Sequence, residues 1–171
     1  MTKGELLGKL AAVQGTCLLG LLSARVINSL EGLEIAHARL NAGPQWMHEG
    51  VQIAFHPDHF GLALGNLEVL CIASMIRDAF EQIRAYAKEH GQLDQIRAEP
   101  WFDFARTVRN TLSHDRRIMF GPADRARLPF RWDGVEITLA MEGTALDRQQ
   151  VFPDDRAYRL FTQMAGFANA L

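Results

Sequence analysis

Apolar residues recur at helical spacing along most of the chain, and the places where that spacing fails divide it into elements. From Lys3 to about Leu40, the series Leu6, Leu7, Leu10, Val13, Cys17, Leu21, Leu22, Val26, Ile27, Leu30, Leu33 and Ile35 predicts one long helix. Asn41-Ala42-Gly43-Pro44 stops it. So long a helix needs a kink or a partner, and Gly15 and Gly20 are its weak points. Residues 43 to 57 lack a period and read as a loop. Pro57-Asp58 opens a second long helix, about His59 to His90, closed by Gly91. Leu62, Leu64, Leu67, Leu70, Cys71, Ser74, Met75, Ile76 and Phe80 form its expected core surface. Glu99-Pro100 announces a third helix, from Trp101 to about Arg116.

After Gly121-Pro122 the period changes from helical to alternating. Leu128 to Trp132 and Val135 to Met141 flank Asp133-Gly134, a hairpin signal, and Pro129 puts its strand at an edge. Asp154 opens a final helix to about Ala170, with Tyr158, Leu160, Phe161, Met164 and Phe167 as core candidates. The expected fold is all-α: an up-and-down bundle of four to five helices, one domain over residues 1–171, with a small β-hairpin inserted at about 128–142.

Composition narrows the function classes. Hydrophobic residues are 48% and charged residues 22% of 171, ordinary for a globular chain and too apolar for general disorder. Eighteen Lys plus Arg against twenty Asp plus Glu leave a net charge of −2. That excludes a protein that coats nucleic acid by bulk charge, but not one with a local positive patch. Cys17 and Cys71 lie in apolar stretches and read as small hydrophobes in a reducing compartment. The opening Met-Thr-Lys-Gly-Glu is unlike a secretory signal. Gly, Asn and Glu interrupt the longest apolar runs, Leu18 to Leu22 and Leu62 to Ile76, so no membrane partner is expected and the cytoplasm is the expected location.

Candidate chemistry is sparse outside one segment. His56-Pro57-Asp58-His59 reads as a helix start rather than a metal site, because no third ligand cluster accompanies it. Neither metal nor cofactor is expected; no phosphate-binding glycine loop, nucleophile elbow or zinc-protease motif occurs. Glu68, a lone acid among Leu67, Val69 and Leu70, is expected to face inward and pair with an arginine. Phe120, Phe130 and Trp132 either pack the hairpin onto the bundle or offer bases a stacking platform.

The informative segment is Phe102 to Asp115. On a helix, Arg106, Arg109, Asn110, Ser113 and His114 fall within one arc of about 140°. Trp101, Phe104, Val108, Leu112, Ile118 and Met119 take the opposite side. Read on spacing alone, such an arc is a solvated face. Its chemistry is nevertheless specific in kind. Two guanidiniums can hold a phosphodiester and stabilise charge on its oxygens, and an imidazole can move a proton near neutral pH. Asn110 lies one turn before His114, where its amide can orient the ring or a substrate. An RNA 2′-hydroxyl would be the internal nucleophile, a group that DNA lacks.

Arg109-Asn110 followed by His114, late in a helical chain, resembles the signature of the HEPN superfamily: an arginine, a polar residue beside it, and a histidine four to six positions after the arginine. The likeness is sharp over about a dozen residues and otherwise one of architecture. It implies a homodimer whose motif helices face each other and cleave RNA without a metal, as toxins, defence effectors or RNA processors do. Arg109 would then polarise the phosphate, His114 would serve proton transfer, and Asn110 would support both. Ser113 and Arg106 are added substrate contacts from helix geometry. The resemblance also implies a cognate antitoxin, although Arg116 stands where toxins regulated by a nucleotidyltransferase often carry a tyrosine. The hairpin is not a core feature of the superfamily. Some members bind partners without cleaving RNA, so a non-catalytic interaction module is the alternative expectation.

Overall fold

Helices form where apolar residues repeat at three- and four-residue intervals, and the chain is all-α with one small antiparallel hairpin. A computed structural model describes residues 1–29, 31, 32, 34, 35, 38, 56–113, 117–147 and 151–171. Six helices have bounds among these residues: α1 Lys3–Ile27, α2 Pro57–Glu89, α3 Leu93–Ala98, α4 Phe102–Ser113, α5 Pro122–Arg125 and α6 Asp154–Ala170. Strands β1 Phe130–Trp132 and β2 Val135–Ile137 and a 3-10 turn Leu139–Met141 lie between α5 and α6. Two compact units divide the chain: Met1–Gln14 with Ile72–Leu171, and Gly15–Cys71.

The first unit holds the larger core. Ile72, Met75, Ile76, Ala79, Phe80 and Ile83 recur along one stripe of α2, and all are buried. Leu6 and Leu10 from α1, Phe104, Ala105 and Val108 from α4, and Leu160, Phe161 and Met164 from α6 are buried with them. Aromatic contacts tie the elements together. The Phe80 and Phe102 rings lie 5.6 Å apart, Phe104 and Trp132 5.2 Å, and Trp101 meets Phe167 edge-on at 5.8 Å. α2 ends in a Schellman arrangement: Gly91 has φ +71°, and the Gln92 amide donates to the Ala87 carbonyl at 2.7 Å. The short α3 follows, an element the sequence pattern missed.

Asp133 (φ 50°) and Gly134 (φ 74°) turn the hairpin, the primed turn that matches strand twist. Phe130 pairs with Ile137, Arg131 with Glu136 and Trp132 with Val135. Phe120, Phe130, Trp132 and Ile137 are buried, so the three aromatics pack the hairpin and present no platform for bases. The Trp132 indole N–H donates to the Gln163 side chain at 2.7 Å, and Asp133 binds Arg156 and Arg159. β2 is shorter than expected, because residues 139–141 coil into the 3-10 turn.

The second unit buries little. Cys17 and Ala24 are buried, whereas Leu18, Leu19, Leu22, Val26, Leu62, Leu67 and Leu70 are exposed, Leu62 to 68%. Leu62, Leu67 and Leu70 were expected in the core, as were Met119 and Tyr158 of the first unit, which are also exposed. Gly20 marks a close approach, since a Cβ there would overlap the Cys71 sulfur. α1 ends at Ile27 instead of continuing to Leu40, and the break falls at Asn28-Ser29 rather than at either glycine. Residues 31, 32, 34, 35 and 38 are again helical. The expected loop at 43–55 lies outside the described residues. Glu68 is half-buried, and among the described residues no arginine pairs with it.

By length and composition alone, α1 and residues His59–Glu89 could cross a membrane, contrary to the expectation from their polar interruptions. Yet α1 commits Leu6 and Leu10, and α2 its stretch from Ile72 to Ala87, to the core of the first unit. Only 17% of each apolar stretch is buried, and Leu18, Leu19, Leu22, Leu62, Leu67 and Leu70 within these helices stay exposed.

Candidate anion-binding site

α4 presents two unlike sides, and its hydroxyl residues explain how. The Thr107 side chain donates to the Asp103 carbonyl and that of Thr111 to the Thr107 carbonyl, each at 2.9 Å. Satisfied one turn back, both threonines are buried beside Phe104 and Val108. Arg106, Arg109 and Asn110 are left on the other side, half-buried.

These three line a cavity of about 630 Å³ in the first unit. Its walls also carry Arg84 and Lys88 of α2, Arg97 of α3, and Arg127, which follows α5. Phe80, Leu93 and Phe102 supply the apolar part of the lining. Six cations therefore converge on one concave surface of a chain whose net charge is −2. Four carboxylates pair with them, Glu81, Asp94, Asp103 and Asp124, leaving an excess of two positive charges.

The pairing is uneven. Arg109 is held by an ion pair with Glu81 and donates from Nη1 to the Asn110 side-chain oxygen at 2.8 Å. Arg106 lies against Asp124 and 3.3 Å from Asp103, while Arg127 donates to Asp103 at 2.9 Å. Asp124 uses its other oxygen to accept the Gly121 amide at 3.1 Å, capping α5. Burial pushes the Asp124 carboxyl up, but hydrogen bonds from Arg106 and the Gly121 amide, with the charges of Arg106 and Arg127, more than offset this and hold it below the usual carboxylate range. Across the cavity, Arg84 stands 3.9 Å from Glu81, and among the described residues Arg97 pairs with the highly exposed Asp94, at 3.3 Å. No ion pair forms at Lys88 among the described residues.

The Nε–H groups of Arg106 and Arg109 are buried with no acceptor. A buried donor without a partner costs about 1–3 kcal/mol, and with both Nε–H groups out of solvent it is the terminal nitrogens of the two half-buried guanidiniums that can meet an oxyanion. An arginine fork against phosphate is the chemistry this lining offers best.

Three of the expected site residues thus come together: Arg106, Arg109 and Asn110. Ser113 does not join them; it is exposed, and its hydroxyl donates to the Arg109 carbonyl at 2.8 Å. His114, with Asp115 and Arg116, lies outside the described residues. Arg84 and Lys88 were missed, although their i,i+4 spacing on α2 was a signal that could have found them; nothing local marked Arg97, Arg127 or Glu81 as their neighbours. Among the described residues no cluster of three His, Cys, Asp or Glu side chains could hold a metal. Comparison with protein-family models, curated proteins and solved structures gives no significant match for the chain.

Proposed function

We propose that this chain binds RNA through the basic cavity and cleaves it as a metal-independent endoribonuclease of HEPN type, in the cytoplasm. The observation that carries the proposal is the convergence of Arg106, Arg109 and Asn110 with four further cations in one concave surface. Arg109, steadied by Glu81 and Asn110, would take a non-bridging oxygen of the scissile phosphate. The 2′-hydroxyl would lose its proton as its oxygen attacks phosphorus, and the 5′-oxygen would leave carrying a proton. His114 would serve one of these transfers. The products are a 2′,3′-cyclic phosphate and a 5′-hydroxyl. In the homodimer that the motif implies, two such helices would share one cleft, and a cognate antitoxin would cover it.

A second reading is favoured by one feature: Arg106 and Arg109 are already engaged by carboxylates. A non-catalytic module would use the same cavity to hold RNA without cutting it. Incubating a mixed RNA pool in EDTA with wild type, Arg109→Ala and His114→Ala separates the two. Cyclic-phosphate ends that vanish in both folded variants support the nuclease. Intact RNA with a folded wild-type dimer sinks it and leaves the binding module.

A further inference from the structure

Within the cavity, the cations differ in how fully their charge is met. Arg106, Arg109 and Arg127 share Glu81, Asp103 and Asp124 at close range. Arg84, Lys88 and Arg97 are exposed and at most loosely paired. A carboxylate 3.9 Å from an exposed guanidinium, or one that is itself in water, screens little. The uncompensated charge of the site therefore sits on α2 and α3, away from the motif helix.

We infer that Arg84, Lys88 and Arg97 form a separate docking subsite for backbone phosphates of single-stranded RNA, neighbouring the phosphate held by Arg109. The inference rests on the RNA reading above and names which residues supply its affinity. Arg84 and Lys88 lie one helical turn apart and face the same side, and Arg97 reaches the same cavity from the next element. The aromatic residues of the lining, Phe80 and Phe102, are 2% and 7% exposed, so they offer a base no open ring face. Recognition at this subsite is thus of phosphate, indifferent to base identity. Arg84, Lys88 and Arg97 stand exposed on this open concave surface, where successive phosphates of a flexible strand can reach them in turn.

The probe is a fluorescein-labelled, fully 2′-O-methylated RNA 12-mer of mixed sequence, which cannot be cleaved because its nucleophile is blocked. Its anisotropy is followed with the full chain at several salt concentrations. Arg84→Gln/Lys88→Gln/Arg97→Gln keeps good helix formers at exposed positions, and circular dichroism checks its fold. Its affinity is expected to fall at least tenfold, and the slope of log K against log salt to become shallower by about 2, as three lost single-strand phosphate contacts require. A triple Lys variant should keep most of the affinity. Unchanged affinity and slope in the Gln variant, with Arg109→Gln weakened, overturns the subsite and leaves the RNA reading standing. A wild type that does not bind the 12-mer at low salt overturns both.

Discussion

α4 and the second unit draw on the same kinds of apolar residue and treat them in opposite ways. Around α4 the chain buries Phe104 and Val108 completely, with Phe152, Leu160 and Met164 almost wholly out of solvent. Between Gly15 and Cys71 it leaves Leu18, Leu19, Leu22 and Leu70 roughly half exposed or more. The difference lies in what alternates with the apolar residues. On α4, Arg106, Arg109 and Asn110 mark the solvent side unmistakably. In Leu18-Leu19-Gly20-Leu21-Leu22 no polar residue picks a side, and the close approach found there among the described residues is that of Gly20 to Cys71. Helical periodicity identifies a helix in both places, but it identifies a buried face only where a polar face opposes it.

The sharpest way to break this contrast is to truncate one side chain on each side of it. Phe104→Ala is expected to lower unfolding free energy by about 3–5 kcal/mol, and Leu19→Ala or Leu62→Ala by no more than about 0.5 kcal/mol, in urea titrations. Equal losses would mean that the second unit's apolar face is buried in the protein as it works. A smaller effect tests the helix approach. Gly20→Ala should cost about 1–3 kcal/mol because its methyl meets the Cys71 sulfur, and Cys71→Ala should restore most of it. Gly65→Ala, where nothing lies within 4 Å, should instead stabilise by up to about 1 kcal/mol. Loss in both variants alike would dissolve the distinction between the two glycines.

The smallest expected effect concerns acid. A hydrogen bond from Arg159, aided by Arg156, lowers the Asp133 carboxyl against the pull of burial, and Asp124 is lowered as described. Folded values below unfolded ones mean that both carboxylates stabilise the fold above the ordinary aspartate value, near about 4, and lose that contribution as pH falls through the folded value. The melting temperature of wild type should therefore drop more steeply below about pH 4 than that of Asp133→Asn, which keeps the turn geometry but not the charge. Parallel curves would remove Asp133 from the acid response.

Much of this architecture was legible because it is local. Asp133-Gly134 between alternating runs, Gly91 after α2 and the polar arc of α4 each declare themselves within a few residues. What escaped depends on distance along the chain. α3 has only six residues, too few for a period to show. The end of α1 at Ile27 interrupts an apolar series that continues past it. The site divides the same way: Arg106, Arg109 and Asn110 share one helix, whereas Arg97, Arg127 and Glu81 reach the cavity from other elements. No spacing rule links residues that only tertiary structure brings together.

The hairpin's attachment to α4 also gives the molecule an optical reporter. Trp132 sits against Phe104, on the side of α4 turned away from Arg106 and Arg109, and Trp101 lies just before the helix. Both indoles are nearly out of water, so their emission should be blue-shifted in the folded chain and move to longer wavelength if the hairpin peels off or the first unit opens. In a Trp46→Phe background, which leaves these two of the chain's three tryptophans, substitutions at Arg84, Lys88 or Arg97 should leave that emission unmoved, so one fluorescence spectrum taken before any RNA assay distinguishes a protein that has lost its ligand contacts from one that has lost its shape.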